Sequence, residues 1–142
     1  VPVLIDHTQS LPKTDDEDYD LPYKNPKLLA DAGVLVGIHT GNNSNFQTRN
    51  LPFYAGQVVG QGMSKEDALK LITSNIAKIL GIDDQLGTIE VGKNATLFIS
   101  EGDALDMRGN QLKQAFIDGR DISLETHQTE LWKRYSNKFK GN

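Results

Sequence analysis

The stretch at residues 33–45, GVLVGIHTGNNSN, decides how this chain is read. Val34, Leu35, Val36 and Ile38 make an apolar run without polar alternation, the pattern of a strand covered on both faces. The run empties through His39, one of three histidines, into a loop rich in glycine and asparagine. A rigid strand that ends in such a loop is a common way to hold chemistry at one end of a sheet.

Upstream, residues 3–5 read as a second short buried strand, with Pro2 tolerated at its start. The chain opens on this run, VPVLI, with no lead-in, as a chain would if it began inside a larger fold. DHTQSLPKTDDEDYDLPYKNP follows, a polar, proline-punctuated stretch of about twenty residues, long for a loop in a compact domain. Asp15, Asp16, Glu17, Asp18 and Asp20 make it an acidic, solvated loop. The spacing and glycine of a calcium-binding EF-hand loop are missing. Pro26 suits a helix first turn, which predicts a helix over 26–32 stopped by Gly33 and a strand over 34–38. Strand, loop, helix, strand is the punctuation of a βαβ unit.

Downstream, Ala55, Val58 and Val59 predict a closely packed helix within 51–63. SKED at 64–67 is a helix start with an acid three residues after its cap. Leu69, Ile72, Ile76 and Ile79 then recur at helical spacing up to Gly81, a plausible C-cap. LGTIEVGKNATLFIS reads as turn, short strand, turn, strand, and QLKQAFIDGRDI as a hairpin about Asp118-Gly119. The last element, a helix over 124–139, aligns Leu131, Tyr135 and Phe139 with Trp132 beside them, an apolar docking face. Lys133, Arg134 and Lys138 form its basic outer side. No internal repeat is present.

The bulk properties exclude several classes. A length of 142 residues allows one domain that buries about two-thirds of its unfolded surface. With 37% hydrophobic and 24% charged residues the chain is a folding one. A net charge of −4 argues against nucleic acid as a partner, which needs a basic stripe. No cysteine is present, so there is neither a disulfide framework nor a thiolate site. No apolar run reaches the roughly 18 residues of a membrane span, and no signal peptide is recognisable. The compartment is left open between cytoplasm and periplasm. Gly81, Gly87, Gly92 and Gly102 lie too far apart for a phosphate-binding fingerprint and serve turns. Asp83-Asp84 follows a helix end and is turn chemistry.

Three stretches together resemble the C-terminal part of a metal-dependent amidohydrolase of the imidazolonepropionase-like and adenine-deaminase-like kind. ALKLITSNIAKILGIDDQLGTIEVGKNATLFISEGDALD is similar to the family's final barrel helix and its return into a small β-sandwich. NLPFYAGQVVGQGMSKEDAL is similar to the helix before it. VPVLIDHTQSLPKTDDEDYDLPY and LLADAGVLVGIHTG are similar to the last two barrel strands with their connection.

The resemblance implies an α/β chain: the last two βα units of a (β/α)8 TIM-like barrel, then C-terminal strands of a small β-sandwich and a terminal helix. The divisions expected are 1–80 for the barrel portion with strands seven and eight, 81–122 for the sandwich portion and 123–142 for the helix. It implies hydrolysis of an amide or cyclic-amide C–N bond by metal-activated water in the full-length protein. The cofactor there is a divalent metal, zinc being the expectation. The family's usual ligands, an HxH pair and further histidines, belong to earlier strands, so none is expected in these residues.

The family residue that falls here is an aspartate after strand eight, in a pattern resembling AGVxVAxGTD. This chain has Gly41 at that place and His39 where a small residue is usual. Four site residues follow from the resemblance. His39 is the candidate catalytic group, as a replacement ligand or base, against a plain structural histidine. His7, at the end of the preceding strand, and Asn42 and Asn43 are candidate substrate contacts. His127 is a surface residue. The expected partners are the remaining barrel or a second copy of the chain, and a small amide-type substrate. Two other readings stand beside this one: a catalytically lapsed homologue kept for binding, and an autonomous α/β interaction domain.

Overall fold

In the computed structural model, which describes residues 1–6, 8–41 and 46–139, the apolar run becomes the most enclosed strand of the chain. β1 (Val3–Ile5) and β2 (Val36–Ile38) pair in parallel, Val3 opposite Val36 and Ile5 opposite Ile38. Parallel neighbours need a crossover, and α1 (Leu21–Asp31) supplies it. α2 (Leu51–Gly60), α3 (Lys65–Lys70) and α4 (Ser74–Leu80) follow. β3 (Leu97–Ser100), β4 (Leu112–Ile117) and β5 (Arg120–Ile122) then form a separate antiparallel sheet in that order. α5 (His127–Phe139) comes last.

The two faces of the β1–β2 pair are covered differently. Ile5, Val36 and Ile38 pack with Val58 of α2 and Leu71, and Leu29 of α1 joins them. Each such aliphatic side chain contributes about 1.5–3 kcal/mol by leaving water. The opposite face carries Leu4 and Gly37. Here α4 comes so close that a Cβ on Gly37 would lie 2.4 Å from Ile76 Cδ1 and 2.9 Å from Leu4 Cδ2.

The edges also differ. Residues of a parallel strand point their N–H and C=O alternately to one side and the other. Leu35 and His39 bond β1, through Val3 N to Leu35 O and His39 N to Ile5 O, both 2.9 Å. Val36 and Ile38 therefore point outward. The Ile38 N–H donates to Leu71 O at 2.9 Å, and the Asn75 amide donates to Val36 O at 2.8 Å. The outer edge of β2 is thus covered by the turn into α4, whereas among the described residues no strand pairs along the far edge of β1.

The loop between β3 and β4 docks on the helices. Leu105 is buried with Ala55 and Ala68, and Gly56 of α2 approaches so closely that a Cβ there would sit 2.0 Å from the Leu105 carbonyl oxygen. Lys65 Nζ and Asp103 Oδ2 pair at 2.5 Å across the same contact.

Several expectations are met. Ser64 caps α3, its Oγ accepting from Asp67 N–H at 3.1 Å. Gly81 ends α4 at φ 68°. Asp118 and Gly119 turn the β4–β5 hairpin with φ of 50° and 76°, the positive pair that a two-residue hairpin turn demands.

Others are corrected. α1 starts at Leu21, five residues before Pro26, because Pro22 already sets its first turn and Lys24 ties back to Asp18 and Asp20 at 3.2 and 2.6 Å. Part of the acidic loop is therefore helix anchor. The single helix expected over 64–80 is two, broken at 71–73, where Leu71 gives its carbonyl to the sheet edge. The Thr73 hydroxyl takes up Leu69 O at 2.8 Å beside the break, a local bond that competes with helix continuation. β2 keeps only three of the five expected residues. No strand forms over 88–91, where Ile89 and Val91 stand exposed without a neighbour to pair. α5 begins at His127 rather than 124, with Trp132 and Tyr135 exposed. No helix among the described residues is long and apolar enough to cross a membrane.

Candidate functional site

Because β1 and β2 run parallel and in register, their C-terminal ends lie side by side. His39 follows the end of β2 directly and is exposed there. Its backbone is fixed by the bond from His39 N to Ile5 O, the last residue of β1. The ring is fixed as well: the Gly41 N–H donates to His39 Nδ1 at 3.0 Å. Gly41 adopts φ 67°, a left-handed conformation that glycine takes at no steric cost. The position where the sequence resemblance led us to expect an aspartate is thus a backbone donor to the histidine ring.

Thr8 is a residue that sequence reasoning did not single out. It follows β1 by three positions, is 3% exposed, and its hydroxyl has no hydrogen-bond partner among the described residues. A threonine in a polar loop carries no signal of such burial. The remaining candidates, His7, Asn42 and Asn43, lie outside the described residues. His127 is on the surface as expected, 4.0 Å from Glu130 Oε2.

Two clefts lie elsewhere, and His39 lines neither. One of about 420 Å³ opens between α2 and the 103–108 loop, bordered by Gln9, Gln57, Lys65, Asp103 and Arg108. In it the Lys65 ammonium holds the Asp103 carboxyl below the usual carboxylate range, helped by the Leu105 N–H. Asp103 in turn raises Lys65. The other, of about 350 Å³, runs along α1 and α3 between two charge pairs, Lys27–Asp31 and Lys70–Asp67. These are surface ion pairs.

Among the described residues no three His, Asp or Glu side chains converge as a metal site would require. A zinc centre takes at least three protein donors, and the described residues by themselves do not bring three together.

The model of the amidohydrolase family matches residues 24–126. The imidazolonepropionase of Thermoplasma volcanium is 30% identical over 118 residues, which is 79% of this chain and 29% of that protein. The imidazolonepropionase of Syntrophobacter fumaroxidans is 32% identical over 82 residues, 56% of this chain and 19% of that protein. The crystal structure of an amidohydrolase from Thermotoga maritima superposes with a TM-score of 0.73 at 30% identity, covering 87% of this chain and 31% of that one. The chain spans less than a third of the length of each of these relatives.

Proposed function

The chain belongs to the amidohydrolase family, and on that premise we propose that it supplies the last two βα units of a (β/α)8 barrel hydrolase. In this reading residues 1–80 are barrel strands seven and eight with their helices. Residues 81–122 are one part of a small β-sandwich, and residues 123–142 are a terminal helix. The remaining units join along the open edge of β1, and closing the barrel on strand one also requires the turn at Leu71–Asn75 to give up the outer edge of β2.

The whole protein cleaves a C–N bond in an amide or cyclic amide. Enzymes of this family generally bind a divalent metal, which activates the attacking water. The ligands of that metal, zinc by expectation, come from chain beyond these residues. The observation that carries the reading is the placement of His39 beside the end of β1, at the end of a barrel strand where such enzymes act.

A second reading has its own observation. Gly41 has no side chain to move a proton, which favours a lapsed hydrolase retained for binding. Metal analysis and hydrolysis assays with N-acyl amino acids and cyclic amides on the longer protein separate the two. Stoichiometric metal with turnover supports the hydrolase; neither supports the lapsed form.

A further inference from the structure

We propose that His39 is a preset hydrogen-bond donor, presenting a neutral Nε2–H at the strand ends to an acceptor oxygen of the bound molecule, and that its ring is closed to metal. The inference rests on the hydrolytic reading only for the class of that molecule, one with a carbonyl or carboxylate oxygen.

A neutral imidazole has one N–H and one in-plane lone pair, on different nitrogens. The Gly41 N–H donates to Nδ1 at 3.0 Å, so that lone pair is in use and the proton sits on Nε2. A metal at Nε2, or a proton accepted there, requires the lone pair on Nε2 and the hydrogen on Nδ1. That hydrogen would point at the Gly41 N–H, setting donor against donor. A metal at Nδ1 would have to displace the Gly41 amide.

The turn holds this arrangement from both sides. His39 N is tied to Ile5 O at 2.9 Å, and Gly41 holds its amide in place at φ 67°. An aspartate at 41 would have offered an acceptor and a base. With glycine there, the polarity of the position is reversed, and the strand end offers a donor. A neutral donor aimed where an amide oxygen gathers charge is the kind of group that stabilises an oxyanion.

The test reads the ring and not the reaction. Three histidines make a sparse spectrum, so the chain labelled with 15N-histidine suits long-range 1H–15N correlation in mildly alkaline buffer. His39→Asn identifies the His39 signals by their loss. The expected result is an unprotonated Nδ1 and a protonated Nε2 at His39, unchanged by an equivalent of zinc chloride. A protonated Nδ1, rapid averaging of the two tautomers, or a zinc-induced change at His39 overturns the proposal. A hydrolysis assay that fails on the longer protein overturns the hydrolytic reading and leaves this result standing.

Discussion

Asn75 Nδ2 donates to the Val36 carbonyl oxygen across 2.8 Å, 39 residues apart in sequence. Val36 is fully buried, so the bond meets an outward-facing acceptor that no neighbouring strand takes. Asn75→Leu removes the donor while keeping the number and branching of the side-chain heavy atoms. We expect unfolding in urea to show a loss of about 1–3 kcal/mol, the cost of an acceptor left unmet in a buried place. An unchanged midpoint would mean that Val36 O finds another partner.

Gly56 and Gly60 lie one turn apart on α2, and their substitution by alanine should have opposite effects. Helix propensity alone favours alanine at both by up to about 1 kcal/mol. At Gly60 no atom lies within 4 Å of the added Cβ, so Gly60→Ala is expected to be neutral or stabilising. At Gly56 the Cβ would press on the Leu105 carbonyl oxygen, a backbone atom that cannot rotate away. Gly56→Ala should destabilise by about 1–3 kcal/mol and loosen the 103–108 loop, which hydrogen exchange would register. Equal effects at the two positions would show that the loop does not dock as described.

The Lys65–Asp103 pair gives the docking a pH dependence. Asp103 is held below its ordinary range, chiefly by the hydrogen bond from Lys65. Its contribution is therefore complete above the ordinary aspartate range and is lost as the pH falls below it. Lys65 is raised, chiefly by Asp103, so its contribution is complete below the ordinary lysine range and is lost as the pH rises beyond it. Asp103→Asn should thus lower the melting temperature slightly at neutral pH, with the difference vanishing in strong acid. Added salt should shrink it too, since both side chains are partly exposed. A difference that persists in acid would show that the effect does not come from the ion pair.

The parts of the fold legible in sequence are those set by local chemistry. Ser64 as a cap, Gly81 as a helix stop and Asp118-Gly119 as a hairpin turn depend on a few adjacent residues, and all three stand. The βαβ order was legible from apolar runs and punctuation. The break at 71–73 was not, because helical spacing runs straight through it and only the sheet edge draws Leu71 O away. The strand expected over 88–91 has the residues for one but no neighbour, and a strand is made by its partner. At the site, the place of His39 could be read from its position after an apolar run. Its ring bond could not, since that depends on the left-handed turn at Gly41, and the burial of Thr8 had no sequence signature.

Zinc offers a further check. With no converging trio of ligating side chains among the described residues and the Nδ1 of His39 engaged, calorimetric titration of the chain with zinc chloride should show no tight stoichiometric site. A site of one ion per chain would place a metal centre within these residues and return its ligands to this part of the protein.

The central claim is that these strands belong to a larger sheet. Among the described residues β1 leaves one edge without a strand, Leu4 is 44% exposed beside it, and Trp132 and Tyr135 stand open on α5. Unpaired edges and apolar faces of this kind drive association. Light scattering on the chain at tens of micromolar, in line with size exclusion, measures this directly. The expected mass lies above the 15.7 kDa of a single copy, with a one-to-one complex when the remaining barrel units are supplied. A monodisperse species at 15.7 kDa that ignores those units would contradict it.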